Sequence, residues 1–145
     1  MKYKNNHSVL VIIYAESTQR VLMLQRRDDP TFWQSVTGSI ENDETPYDTA
    51  FREVREETGI DILAEKLPLF DCKEKIEFEI FPHFRYKYAP NVTHCVEHWF
   101  LLALPEEREP ILVEHIDYQW LSTKEASSLT KSWNNRLAIE KYLLS

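Results

Sequence analysis

The chain has 145 residues, of which 43% are hydrophobic and 28% charged, the balance of a globular protein able to bury a core without cross-links. Seventeen basic against twenty-four acidic side chains leave a formal charge of −7. That argues against a nucleic-acid polymer or an anionic membrane surface as partner, because no basic footprint is left over. An acidic protein whose ligand is itself an anion needs a metal ion between them, so clustered carboxylates are the feature to look for. Two cysteines, Cys72 and Cys95, are too few for a disulfide framework and fit a reducing, cytoplasmic compartment.

At the N-terminus, basic residues precede the apolar run VLVIIYA. The run is short for a signal peptide and lacks a small-x-small cleavage site, so residues 8–15 are expected to form a buried strand. No segment approaches the roughly 20 apolar residues of a membrane span. VLMLQR (21–26) reads as the returning strand of a hairpin. After the irregular RDDPTFWQ comes a short strand around Ser35–Thr37. Residues 45–58, TPYDTAFREVREET, form the clearest helix, with Thr45 at the N-cap, Pro46 in the first turn, Asp48 three after the cap and Gly59 just past the end. Strand patterns return over 76–81 and 94–104, and 111–121 is expected to be strand or extended. In 94–104 the strand pattern argues against a metal site at His94 and His98. Ser122 with Glu125 caps a short helix, and Ser132 opens a terminal one reaching Tyr142. The succession of strands and helices over 1–145 indicates one α+β domain rather than a doubly wound sheet.

The segment between the only two glycines, Gly38 and Gly59, is the densest in chemistry. At about 100° per residue, Tyr47, Ala50, Phe51 and Val54 share one face of the 45–58 helix. Glu53, Glu56 and Glu57 share another, with Arg52 placed to pair with Glu56. Three carboxylates in one arc repel one another. They make either a solvated acidic face or a seat for a hard divalent cation such as Mg²⁺ or Mn²⁺.

The wider spacing favours the second reading. Gly38, Glu44, Arg52, Glu53, Glu56, Glu57 and Gly59, with aliphatic Val54 and Ile60, resemble the complete Nudix box over residues 38–60. Seven fixed residue types match, an event of chance probability on the order of 10⁻⁸ per window. The resemblance implies a Nudix fold, a mixed β-sheet between helices with the box as loop–helix–loop. It also implies hydrolysis of a nucleoside diphosphate linked to another group, using Mg²⁺ or Mn²⁺. Glu53 and Glu57, one turn apart, are the expected metal ligands, and Glu56 is expected to support a second ion or a water. Gly38 should let the chain turn sharply out of a strand, Glu44 should hold the loop, and Gly59 should cap the helix.

The likeness continues outside the box. VLMLQRRDDPTFWQSVTGSIE, EFEIFPHFRYKYAP, EHWFLLALPEER, EHIDYQWL and LTKSWNNR resemble the Nudix pyrophosphatases of folate biosynthesis. These convert 7,8-dihydroneopterin 3′-triphosphate and water to the monophosphate and pyrophosphate. That resemblance implies that Glu114, six residues before Trp120, completes the metal site or serves as general base. It implies substrate contacts for Lys4, Arg26, Thr37 and Ser132, although Arg26 could simply pair with Asp28 or Asp29 and Ser132 could be only an N-cap. A planar pterin needs a flat apolar slot, for which the Phe78–Phe81 stretch with Ile80, together with Trp33, is the candidate. Glu79 is placed to receive the amino-pyrimidinone edge. The partner is therefore a small pterin or nucleoside triphosphate. Another nucleoside triphosphate, or a non-catalytic ligand-binding module, are the competing readings, and a binding module has no need of three crowded carboxylates.

Overall fold

The architecture follows from β1 (His7–Ala15), whose residues from Ser8 to Ile13 are all buried. Alternate side chains of a strand point to opposite faces. Here Val9, Val11 and Ile13 enter one core while Leu10 and Ile12 enter another. A strand that feeds two cores must be apolar on both faces, which is why the sequence shows a continuous run without alternation. In the computed structural model, which describes residues 2–143, β1 lies centrally in a mixed seven-stranded sheet. It runs parallel to β6 (His94–Leu104) along its whole length.

The other edge of β1 is shared. Its first half pairs antiparallel with β4 (Val36–Ser39), and only Tyr14 pairs with β2 (Val21–Arg26), through Val21. The expected hairpin is thus reduced to a single pair, because β4 occupies the β1 edge where β2 would continue. β2 instead pairs with β7 (His115–Leu121) and with the short β3 (Trp33–Gln34). β5 (Leu69–Glu79) closes the far edge against β6. It begins before the expected residue 76 because a bulge between Asp71 and Lys75, with Lys73 at φ 53°, hides the alternation of its first half. Residues 111–114 stay outside β7.

Helices cover both faces. α1 (Pro46–Thr58) packs on β1 and β4 through Ala50 and Val54, over Val9, Val11, Phe100 and Leu102. On the opposite face α3 (Thr123–Leu129) and α4 (Trp133–Leu143) bring Ala126, Ala138 and Ile139 against Leu10, Ile12, Met23 and Trp99. The single-turn α2 (Ile62–Glu65), capped by Asp61, was not legible from periodicity. A third cluster of Phe32, Ile80, Phe84 and Cys95 lies where β5 runs into a 3-10 turn over Pro82–Lys87. Cys72 and Cys95 are both free. No helix among the described residues is long and apolar enough to cross a membrane.

The ends of α1 are built as the sequence implies. Thr45 accepts a hydrogen bond from the Asp48 N–H while the Asp48 side chain accepts from the Thr45 N–H, closing a capping box. Gly59 ends the helix at φ 77°, donating to the Arg55 carbonyl, and a Cβ there would meet the Ile111 side chain at 3.1 Å. Thr45→Ala should lower the unfolding free energy in urea by about 1 kcal/mol. Gly59→Ala should lower it by about 1–2 kcal/mol, the strain of a left-handed alanine.

Candidate active site

α1 delivers Glu53 and Glu57, one turn apart, to the underside of β4. Both are buried, at 9% and 2% exposure. Room for Glu53 exists because residue 38 has no side chain, since a Cβ on Gly38 would stand 2.1 Å from the Glu53 Cδ. The expected sharp turn at Gly38 is not found. Gly38 sits inside β4, paired with Val9, and its role is to admit a carboxylate against the strand.

Arg52 holds Glu53 in place. Its Nη1 donates to Glu53 Oε1 at 2.6 Å, and Nη2 to the Ser39 carbonyl at 2.9 Å. Behind it, Glu44 accepts from Arg52 Nε at 2.7 Å and Nη2 at 2.9 Å, and from the Thr49 hydroxyl. Glu44 also accepts from the Glu41 N–H, so it locks the loop to the helix. The Arg52 bonds pull the Glu44 carboxyl down to about 2. Arg52 reaches Glu56 as well, at 3.2 Å, as the i,i+4 spacing requires. Glu56, however, is exposed, so the three helix carboxylates divide into a buried pair and one solvated partner of Arg52, and of the three only Glu57 lines the cavity.

Glu57 is the electrostatic extreme. Burial holds its carboxyl well above the usual range, and the hydrogen bond and charge of Glu53 and the charge of Glu114 add to the effect. Its Oε1 accepts no hydrogen bond. His115 Nε2 lies 3.7 Å away. Burial and the Arg26 charge hold that imidazole below its ordinary value, so it supplies no counter-charge. A desolvated carboxylate pair with an oxygen lacking a partner suits a divalent cation. Glu114 precedes β7 on the wall of the same cavity, although among the described residues no three acidic, His or Cys donors already converge as a ligand set.

The cavity has a volume of about 550 Å³, and Glu57, Glu114 and Gly38 form part of its wall. Lys4, Arg26, Arg27 and Lys87 line it too, a cationic group suited to phosphate oxygens. Lys4 keeps solvent access, yet desolvation and the charges of Lys87 and Arg26 lower its ammonium below the usual lysine range. Arg26 makes the bidentate pair with Asp28, both bonds 2.7 Å, while its guanidinium lies 4.1 Å from the Phe84 ring centre. Arg26 thus makes the pair with Asp28 and also stands in the cavity wall. Thr37 lines the cavity with its hydroxyl bonded to the Val9 carbonyl at 2.9 Å. Ser132 also lines it while accepting from the Asn135 N–H, so it is at once wall and cap.

The apolar wall contains Phe78, Ile80 and Phe81, joined by Phe32 and Phe84 from outside the expected set. Phe32 meets Phe81 edge-on at 5.5 Å between ring centres. Two expectations fail here. Glu79 follows Phe78 on β5 and so faces away from the cavity, pairing with Arg85 at 2.8 Å. Trp33 packs against the core under α3 and α4, while its neighbour Gln34 lines the cavity.

The carboxylate that does enter the aromatic part is Glu97 on β6, which is 3% exposed. Its Oε1 accepts from Asn134 Nδ2 at 2.7 Å and from Trp99 Nε1 at 3.1 Å. Burial pushes its carboxyl up to about 7 against those two bonds. A signal was present in the sequence, since CVEHW places a glutamate midway between two residues, Cys95 and Trp99, that share a buried face.

Gly38→Ala should disturb both the packing of α1 on β4 and the chemistry of Glu53. The displaced group is the Glu53 side chain that Arg52 holds, so the unfolding midpoint should fall while Mg²⁺ affinity measured by calorimetry falls at least ~10-fold. Glu44→Gln should act on stability. The Glu44 carboxyl lies below its unfolded value of 4.5, so its stabilisation is complete above about pH 4.5 and disappears as pH falls toward about 2. The variant should be less stable than the parent at pH 7, with the gap closing over that window in urea titrations.

A family model described as NUDIX domain matches residues 4–142. The chain is similar to the dihydroneopterin triphosphate diphosphatase of Haemophilus influenzae, 63% identical over 145 residues, covering 100% of this chain and 92% of that protein. It is similar to the protein of the same name from Escherichia coli, 57% identical over 143 residues and covering 99% and 95%. The structure of the E. coli dihydroneopterin triphosphate pyrophosphohydrolase superposes with a TM-score of 0.97 at 57% identity, covering 99% of both chains. With the complete box on loop, helix and cap, and the match running along nearly the whole chain, the protein belongs to the Nudix family.

Proposed function

We propose that this chain hydrolyses 7,8-dihydroneopterin 3′-triphosphate to the monophosphate and pyrophosphate, a step of folate biosynthesis, in the cytoplasm. The observation that carries the reading is a single cavity joining the buried Glu57 and the exposed Glu114, with four cationic side chains, to an aromatic wall. The identity of 57–63% to dihydroneopterin triphosphate diphosphatases over nearly the whole chain supports the same substrate.

Mg²⁺ is the proposed ion, with Mn²⁺ able to replace it. Glu53, Glu57 and Glu114 would hold it, and when bound it supplies charge neutralisation at phosphate oxygens and a more acidic water. The protein's own groups do the rest. Lys4, Arg26 and Lys87 take the remaining phosphate charge and orient the triphosphate chain. Arg52 fixes the Glu53 carboxylate, and Glu114, exposed at the cavity mouth, is the carboxylate available to accept a proton from the attacking water. Phe78, Ile80 and Phe81 receive the ring system, and Thr37 and Ser132 bound the space between ring and phosphates.

The test is product analysis with Mg²⁺ over pterin and nucleoside triphosphates. The pterin triphosphate should show the highest kcat/KM, with pyrophosphate released; orthophosphate release, or preference for a sugar nucleotide or dinucleotide, would sink the reading. Glu53→Gln and Glu57→Gln should each lower kcat at least ~10³-fold, and Glu114→Gln should lose most activity with little change in stability.

A further inference from the structure

Two cations of the cavity wall come from distant parts of the chain, Arg26 from the end of β2 and Lys87 from the end of the 3-10 turn. One carboxylate joins them. Asp28 Oδ1 accepts from Arg26 Nε at 2.7 Å, and its Oδ2 accepts from both Arg26 Nη2 at 2.7 Å and Lys87 Nζ at 2.6 Å. Two cationic nitrogens on one oxygen stand no further apart than those two bonds laid end to end. Both also lie near the Phe84 ring, the guanidinium 4.1 Å and the ammonium 5.0 Å from its centre. The neighbouring Asp29 pairs with His83 at 3.2 Å and so ties the same loop to the same turn a second time. The bonds from Arg26 and Lys87 hold the Asp28 carboxyl well below the usual range, so it stays an anion. Donors are still left over. Gln34 takes one N–H of Arg26 Nη1, so among the described residues each Nη keeps one N–H, and Lys87 keeps two of its three.

We propose that Asp28 is a positioning residue for the phosphate chain: it holds Arg26 and Lys87 side by side in the cavity wall, so that their remaining N–H donors converge on one anionic group. Charge alone makes the opposite case. A fixed acid beside a phosphate site repels the ligand, and by Coulomb's law its removal should tighten binding. The hydrogen bonds reverse that sign. Without Asp28 two long side chains of like charge regain their rotamer freedom and move apart, and the cost of reassembling them falls on the binding step. The inference rests on the proposed function only in taking the cavity to bind a phosphate chain; the identity of the ring does not enter it.

The test is calorimetric binding of inorganic pyrophosphate in the presence of Mg²⁺, and of Mg²⁺ alone, to wild type and Asp28→Asn. D28N should bind pyrophosphate at least ~10-fold more weakly while its affinity for Mg²⁺ alone stays within ~3-fold of wild type. With the pterin triphosphate its KM should rise by a similar factor and kcat should change less. In a Lys87→Met background the further change Asp28→Asn should cost less than it does in wild type, since one of the two cations it places is gone. Pyrophosphate binding that is unchanged or tighter in D28N overturns the proposal and leaves Asp28 a repelling charge only. Equal losses for pyrophosphate and for Mg²⁺ alone overturn it as well, because general damage to the fold does not tell the two apart. If wild type failed to bind pyrophosphate at all, the phosphate reading of the cavity would fall and the proposal with it. If wild type preferred another nucleoside triphosphate while D28N still bound pyrophosphate weakly, the proposed substrate would fall and the role of Asp28 would stand.

Discussion

The structure depends on two carboxylates that are held where they repel each other. Glu53 and Glu57 are buried one turn apart on α1, and the groups nearest them do not cancel their charge. Arg52 bonds Glu53, but it is shared with Glu44 and Glu56. The imidazole of His115 stands 3.7 Å from Glu57 with its basicity suppressed. Such an arrangement stores unfavourable electrostatic energy that a cation would release, and the surrounding structure must be rigid enough to maintain it. The rigidity comes from the capping box at Thr45, the Glu44–Arg52–Ser39 links between loop, helix and strand, and the absence of a side chain at Gly38.

The sheet makes the second half of the site possible. β4 takes the β1 edge that β2 would otherwise occupy, so β1, β2, β3 and β4 all contribute to the cavity wall: Ser8 and Leu10, Arg26, Gln34, and Thr37 with Gly38. On its other edge β1 runs beside β6, which brings Glu97 and Cys95 to the same cavity. The cavity wall is thus built from strands on both edges of β1.

The box was legible because its chemistry is local. A cap, a helical repeat and a terminal glycine fix where Glu53 and Glu57 stand relative to each other, and α1 has the bounds the sequence implies. Long-range features were legible only in part. Lys4, Arg26, Thr37, Phe78, Ile80, Phe81, Glu114 and Ser132 do meet at one cavity, from elements far apart in the chain. Glu79 cannot be told from Phe78 in the sequence, because the choice depends on which face of β5 is inward, and both alternatives satisfy a period of two. The same ambiguity separates Trp33 from Gln34. The local pattern at Gly38 suggests a turn, whereas its reason is steric and lies fifteen residues away at Glu53, where no local pattern points. Glu97 went unassigned because one acid in an apolar strand acquires meaning only from what packs over it.

The central claim is that the buried acids are kept at a cost to the fold that a divalent ion removes. Thermal unfolding of wild type, Glu53→Gln and Glu57→Gln, with chelator and with excess Mg²⁺, tests it most directly. Without metal the two variants should unfold at or above the wild-type temperature, because neutralising one acid relieves the repulsion. With Mg²⁺ the wild type should gain several degrees by mass action and the variants only a small part of that gain. Variants that unfold well below wild type without metal, and that respond to Mg²⁺ as fully as it does, would contradict the account.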